Sequence, residues 1–123
     1  MSIKVLLADD SEIVRRAIRF FLRGQPQIKL VGEAADFRQT IQMMKKLSPE
    51  VIVLDLYMPS GTEATILNVK SHLHHRSRLL PMSNWNDEDA KALAGSLGTL
   101  PLLDKMELGD KLIPSIMQLA SPK

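Results

Sequence analysis

The chain contains no cysteine. That excludes a disulfide framework and any thiolate metal site, and it fits a reducing cytosol. An excess of one charge is also lacking: 16 Lys and Arg stand against 14 Asp and Glu, a net charge of +2. Direct nucleic-acid binding would call for a concentrated basic footprint, so it is not expected here. No apolar run approaches the roughly 20 residues of a membrane-spanning helix. The first apolar stretch meets Asp9 too soon to be the core of a signal peptide with a cleavage site. Repeats and low-complexity segments are absent as well. With 45% hydrophobic and 24% charged residues, the composition is that of a globular domain with one core. The expectation is a single cytoplasmic domain over residues 1–123.

What the chain does contain is an alternation of strand-like and helix-like segments. Residues 3–8, 28–34, 50–55, 78–83 and 99–103 read as strands. The first and third are short apolar runs of the kind buried on both faces of a parallel sheet. Residues 11–23, 37–47, 62–72, 87 to about 97 and 108 to about 120 read as helices. In the first helix, Ile13, Val14, Ala17, Ile18, Phe21 and Leu22 recur at helical spacing, and Arg15, Arg16, Arg19 and Arg23 supply a basic, solvated face. Gly24 stops it, and Asp36 and Asp87 are placed to cap the second and fourth helices. Two prolines sit badly: Pro81 inside a strand, where it removes a ladder hydrogen bond, and Pro114 inside the last helix, where a late start or a kink is expected.

Five strand-helix repeats imply a (βα)5 parallel sheet covered on both faces, with right-handed crossovers. Ligands bind such sheets outside the carboxyl ends of the strands. The polar residues fall there: Asp9 and Asp10 end the first strand, Asp55 the third, Ser83 the fourth, and Lys105 follows the fifth. Converging carboxylates repel; at ~4 Å and an effective dielectric of 20 the cost is about 4 kcal/mol per pair. A hard divalent cation with oxygen ligands would relieve it, and magnesium suits a site of few carboxylates that leaves room for a phosphate oxygen. Lysine and hydroxyl would complete a cradle for phosphoryl transfer, which needs chiefly positioning and charge neutralisation, and a carboxylate can itself be the nucleophile.

At this point the chain resembles a family. Asp9-Asp10 after an apolar strand, Asp55-Leu56-Tyr57-Met58-Pro59, Ser83 and Lys105, in order over essentially the whole chain, are similar to the signature of response-regulator receivers of the chemotaxis-regulator type. The stretch Val31-Gly32-Glu33-Ala34-Ala35-Asp36 and the Asp104-Lys105 ending look most like receivers of the NarL/LuxR-type transcriptional regulators. The resemblance implies a flavodoxin-like sheet of strand order 2-1-3-4-5 and a switch that is no classical enzyme, although it catalyses its own phosphorylation and dephosphorylation. Asp55 would accept a phosphoryl group from a sensor histidine kinase. Asp9, Asp10, Asp55 and the Tyr57 backbone carbonyl would hold Mg2+. Lys105 would pair with the phosphoryl oxygens and Ser83 would report their arrival. The implied partners are the kinase, a C-terminal DNA-binding output domain outside this chain, and a second copy of the chain on activation, with no membrane and no direct nucleic-acid contact.

Departures from the family pattern set further expectations. Glu63 stands where glycine is usual four residues after Pro59, so the loop and helix start can differ. Asn84 follows the switch hydroxyl in place of a small residue and narrows access. Leu102 replaces the aromatic three residues before the lysine and weakens the relay. Met106 replaces the usual proline after the lysine and loosens that loop. Tyr57 and Trp85 flank the acceptor and, with Asn84, are candidates to shield an aspartyl phosphate and prolong its life. His72, His74 and His75 are badly spaced for a metal and read as a solvated helix end; the seven methionines read as core filler. The runner-up function is a phosphorylation-independent interaction module that keeps the fold.

Overall fold

The computed structural model describes residues 2–84, 88–96 and 102–120. Strands β1 (Ile3–Ala8), β2 (Ile28–Ala34), β3 (Val51–Asp55), β4 (Arg78–Ser83) and β5 (Leu103–Asp104) alternate with helices α1 (Glu12–Arg23), α2 (Phe37–Leu47), α3 (Glu63–Ser71), α4 (Glu88–Ser96) and α5 (Leu108–Ala120). The strands form one sheet in the order β2-β1-β3-β4-β5, every pairing parallel. This is the expected doubly wound architecture. Helices cover both faces, which is why all five residues of β3 are buried and apolar residues occupy both of its sides. Val5, Leu7, Val53, Leu80 and Met82 pack under α1 and α5 with Ile18, Leu112 and Ile116. Leu6, Ala8, Ile52 and Leu54 pack on the other side with Phe37 and Met44 of α2 and Ile66 and Val69 of α3.

Local chemistry sets the helix ends. Ser11 caps α1, accepting from the Val14 N–H at 3.2 Å, and Asp36 caps α2, accepting from the Gln39 N–H at 2.8 Å. Thr62 caps α3, so Glu63 becomes its first residue and needs no glycine. His72 ends α3 with its ring Nδ1 2.8 Å from the Asn68 carbonyl, in keeping with a helix-end role. The expected cap at Asp87 and residues 99–101 of the expected fifth strand lie outside the described residues. β5 begins at Leu103, so Leu102 precedes the strand and lies partly buried against the α2–α3 side of the core.

Three expectations are corrected. Ile13 is 78% exposed, because the apolar spacing of α1 spans a wider arc than the sheet can cover; Ile18 and Leu22 take the core. Met106 is 85% exposed and is not core filler, unlike Met44, Met58 and Met82. The last helix neither starts late nor breaks at Pro114. Pro114 and Asp110 both lie on the exposed side, where water can take the carbonyl that Pro114 leaves without a donor. Pro81 lies inside β4, as expected, and pairs with Leu54. The Met82 carbonyl accepts from Leu56 and faces β3, so the Pro81 nitrogen faces the β5 side, where the described pairing starts only at Met82–Leu103.

One irregularity matters for the site. Val5 pairs with Leu30 but Leu6 pairs with Gly32, so Val31 is an extra residue in β2. A bulge of one residue reverses the alternation of faces. Ile28 and Leu30 face α1, and after Val31 it is Glu33, opposite Leu7, that faces α1. Gly32 lands on the α2 side, where a Cβ would come within 2.9 Å of Leu47 and 3.3 Å of Leu6.

Candidate functional site

Strand register brings the acids together. Ala8 pairs with Leu54, so the next residues, Asp9 and Asp55, stand level at the carboxyl ends of β1 and β3. Asp10 follows on the rim. One carboxylate oxygen from each of the three lies within 4.8 Å of the others, with Asp9 and Asp55 buried and Asp10 exposed. On the far side Asp55 pairs with Met82, and Ser83 pairs with Asp104, which delivers Lys105 one residue beyond. Ser83 is fully buried at that strand end.

Each buried carboxylate is held by a turn of its own. Asp55 Oδ1 accepts the Tyr57 N–H at 2.9 Å, and Asp9 Oδ1 accepts the Ser11 N–H at 2.8 Å. The second oxygens face Lys105: its Nζ is 2.6 Å from Asp9 Oδ2 and 3.1 Å from Asp55 Oδ2. The contact to Asp9 Oδ2 is close but lacks the angles of a hydrogen bond. Among the described residues, that oxygen is the buried side-chain atom no hydrogen bond reaches. The Lys105 side chain is only 7% exposed, so it is not the surface lysine its residue type would suggest. Its loop is an ordered turn with Met106 in place of the proline. Lys105–Glu107 form a short 3-10 turn, and Asp104 accepts the Met106 N–H at 2.8 Å.

Burial raises the pKa of the Asp55 carboxyl above its ordinary value, against the Tyr57 N–H and the Lys105 charge, which favour the ion; the Asp9 charge adds to the rise. Three carboxylates with one buried lysine and an undirected buried oxygen form a set of hard donors that fits a divalent cation. Tyr57, two residues after Asp55, is 47% exposed, and Asn84 is exposed next to Ser83. Trp85 lies outside the described residues.

The sequence reading missed Arg15, placing it on a solvated helix face. Its side chain is 16% exposed, and Nη1 donates to the Asp9 carbonyl at 2.6 Å. Nη2 meets Glu12 at 2.7 Å and Nε meets Glu33 at 3.3 Å. Arg19 joins the same two acids, 2.6 Å from Glu33 and 3.1 Å from Glu12. Helical periodicity alone carried no signal for this, because Glu33 reaches α1 only through the bulge at Val31.

Comparison with known proteins agrees with this geometry. The response regulator receiver domain model matches residues 5–116. The transcriptional regulatory protein LiaR of Bacillus subtilis is 46% identical over 65 residues, 51% of this chain and 31% of LiaR. A protein-glutamate methylesterase/protein-glutamine glutaminase of Photobacterium profundum is 30% identical over 111 residues, 82% of this chain and 27% of that protein. The matched segment is thus about a third or less of either relative. The crystal structure of a LuxR-family two-component response regulator from Aurantimonas superposes with a TM-score of 0.86 at 21% identity, covering 98% of this chain and 86% of the other.

Proposed function

The chain belongs to the response regulator receiver domain family, and from that premise we propose that it is a phosphoryl-accepting switch whose acceptor is Asp55. The observation that supports this most is Lys105, buried between Asp9 and Asp55 at the carboxyl ends of the strands. A carboxylate oxygen of Asp55 attacks phosphorus, the phosphorus–nitrogen bond of a kinase phosphohistidine breaks, and the bonding pair leaves with the imidazole. Tyr57 N–H and Lys105 orient the attacking carboxylate and favour its ionised form. Lys105 then meets the phosphoryl oxygens, with the Ser83 hydroxyl at the neighbouring strand end.

Asp9, Asp10, Asp55 and the Tyr57 backbone carbonyl would hold magnesium, which when bound neutralises carboxylate and phosphoryl charge. The self-catalysed gain and loss of the phosphoryl group is the extent of the chemistry. Residues 1–123 act as one receiver unit, cytoplasmic with its kinase; among the described residues no helix is long and apolar enough to cross a membrane. Phosphorylation shifts an existing equilibrium between two conformers, and the surface of α4, β5 and α5 passes the change to an output, by likeness to LiaR a transcriptional one, or to a second copy. Tyr57 and Asn84 at the acceptor, with Trp85 a further candidate from the sequence, set the lifetime of the phosphorylated state.

The test is incubation with magnesium and a small acyl phosphate, followed by intact-mass spectrometry. One phosphoryl group is expected on the wild type and none on Asp55→Asn. A wild type that stays unmodified at millimolar magnesium would transfer the reading to a phosphorylation-independent interaction module.

A further inference from the structure

The ion-pair network on α1 has no part in the reaction as described, yet one of its members ends on the metal-binding turn. Asp9 is gripped from several sides. Its N–H donates to the Ala34 carbonyl at 3.0 Å, its carboxylate accepts from Ser11, and its carbonyl accepts from Arg15. The Arg15 guanidinium makes three different attachments at once: the Asp9 carbonyl, Glu12 of its own helix, and Glu33 of the edge strand. A planar fork of five N–H donors can do this and an ammonium cannot.

We propose that Arg15 is a positioning residue for the acidic site, locking the Asp9–Asp10 turn to α1 and β2 so that the carboxylates of Asp9 and Asp10 are held in place for a divalent cation. The inference rests on the magnesium reading above. It makes a prediction of sign. Arg15 carries a positive charge near a site for a dication, so if it acted through charge alone its removal would tighten magnesium binding. As a positioning group its removal weakens binding. Outer contacts that orient metal ligands are worth about 10–100-fold in affinity.

Magnesium titration of the whole chain, read from the amide shift of Ser11 and by calorimetry, tests this in the wild type, Arg15→Ala, Arg15→Lys, Glu33→Gln, Arg19→Ala and Asp10→Asn. The dissociation constant should rise about 10-fold in Arg15→Ala and rise also in Arg15→Lys, which keeps the charge and loses the fork. Glu33→Gln, which slackens one attachment, should give a smaller rise and serves if Arg15→Ala does not fold. Arg19→Ala, which breaks the network without touching Asp9, should bind as the wild type does. Saturating magnesium should restore phosphoryl acceptance in Arg15→Ala. Equal or tighter binding in both Arg15 variants, or equal weakening in Arg19→Ala, would overturn the proposal while leaving the switch intact. A wild type without a magnesium response, or one unchanged by Asp10→Asn, would overturn both.

Discussion

Two charge clusters share the β1–α1 corner and are built on opposite rules. At the strand ends, Asp9, Asp10 and Asp55 gather, one lysine meets Asp9 and Asp55, and those two acids are nearly inaccessible. Along α1, Glu12 and Glu33 face Arg15 and Arg19, charge against charge, from exposed Glu12 to half-buried Arg15. In the second cluster two members, Glu12 and Arg19, are held in their ionised forms. Hydrogen bonds from Arg19 and Arg15 hold Glu12 below its ordinary pKa, and Glu33 and Glu12 hold Arg19 above its own. In the first cluster burial works against ionisation of Asp55. A balanced, partly exposed network is scaffolding. An unbalanced, dry one works against the fold, and the proposed divalent cation would relieve it.

Removing a cation from each cluster should sharpen the contrast most. Lys105→Ala strips the sole described counter-charge from two buried carboxylates and should lower metal-free stability by about 3 kcal/mol, measured by urea unfolding, with part of the loss recovered in magnesium. Parity between the variant and the wild type in chelator would show that the acids are better solvated than their burial implies.

The next effect is smaller and opposite in sign. The folded chain holds the Asp55 proton more tightly than the unfolded chain, whose carboxyl titrates near 3.8. Between 3.8 and the higher folded value the native state therefore binds more protons, and stability falls as pH rises through that window. Asp55→Asn removes the fall. In chelator at neutral pH the variant should melt above the wild type, and the two curves should converge below pH 3.8. A variant that melts lower at neutral pH would assign the Lys105 pair more weight than burial.

The smallest effect belongs to the balanced cluster. Arg19→Ala should move the unfolding midpoint little, and less still in high salt, because exposed pairs are screened. A large, salt-insensitive loss would break the comparison by making the network structural core.

Most of the fold, and the gathering of the five candidate site residues at the strand ends, were legible in the sequence for one physical reason. Parallel strands buried on both faces must be apolar throughout, so the first polar residue closing β1, β3 and β4 (Asp9, Asp55 and Ser83) marks both a strand end and the crevice. β1, β2 and β4, with α2 and α5, have the expected bounds. What was not legible depends on long-range geometry. Ile13 sits in a helical apolar pattern but outside the arc the sheet covers. Pro81 is tolerated because of which neighbour its nitrogen faces, a matter of register. Arg15 looked like one of four similar arginines, and only the fold distinguishes it, through a carbonyl six residues earlier and a glutamate turned by a bulge.

That bulge has a consequence for the molecule among its own copies. β2 is an outer strand, and an uninterrupted outer strand offers a row of free backbone groups on which another chain can assemble. Val31 breaks the row near its middle, leaving three residues before it and three after. Neither stretch is long enough to template a stable intermolecular ladder. The extra residue that aims Glu33 at α1 also makes this border of the sheet a poor seed for aggregation, so deleting Val31 should cost solubility as well as geometry.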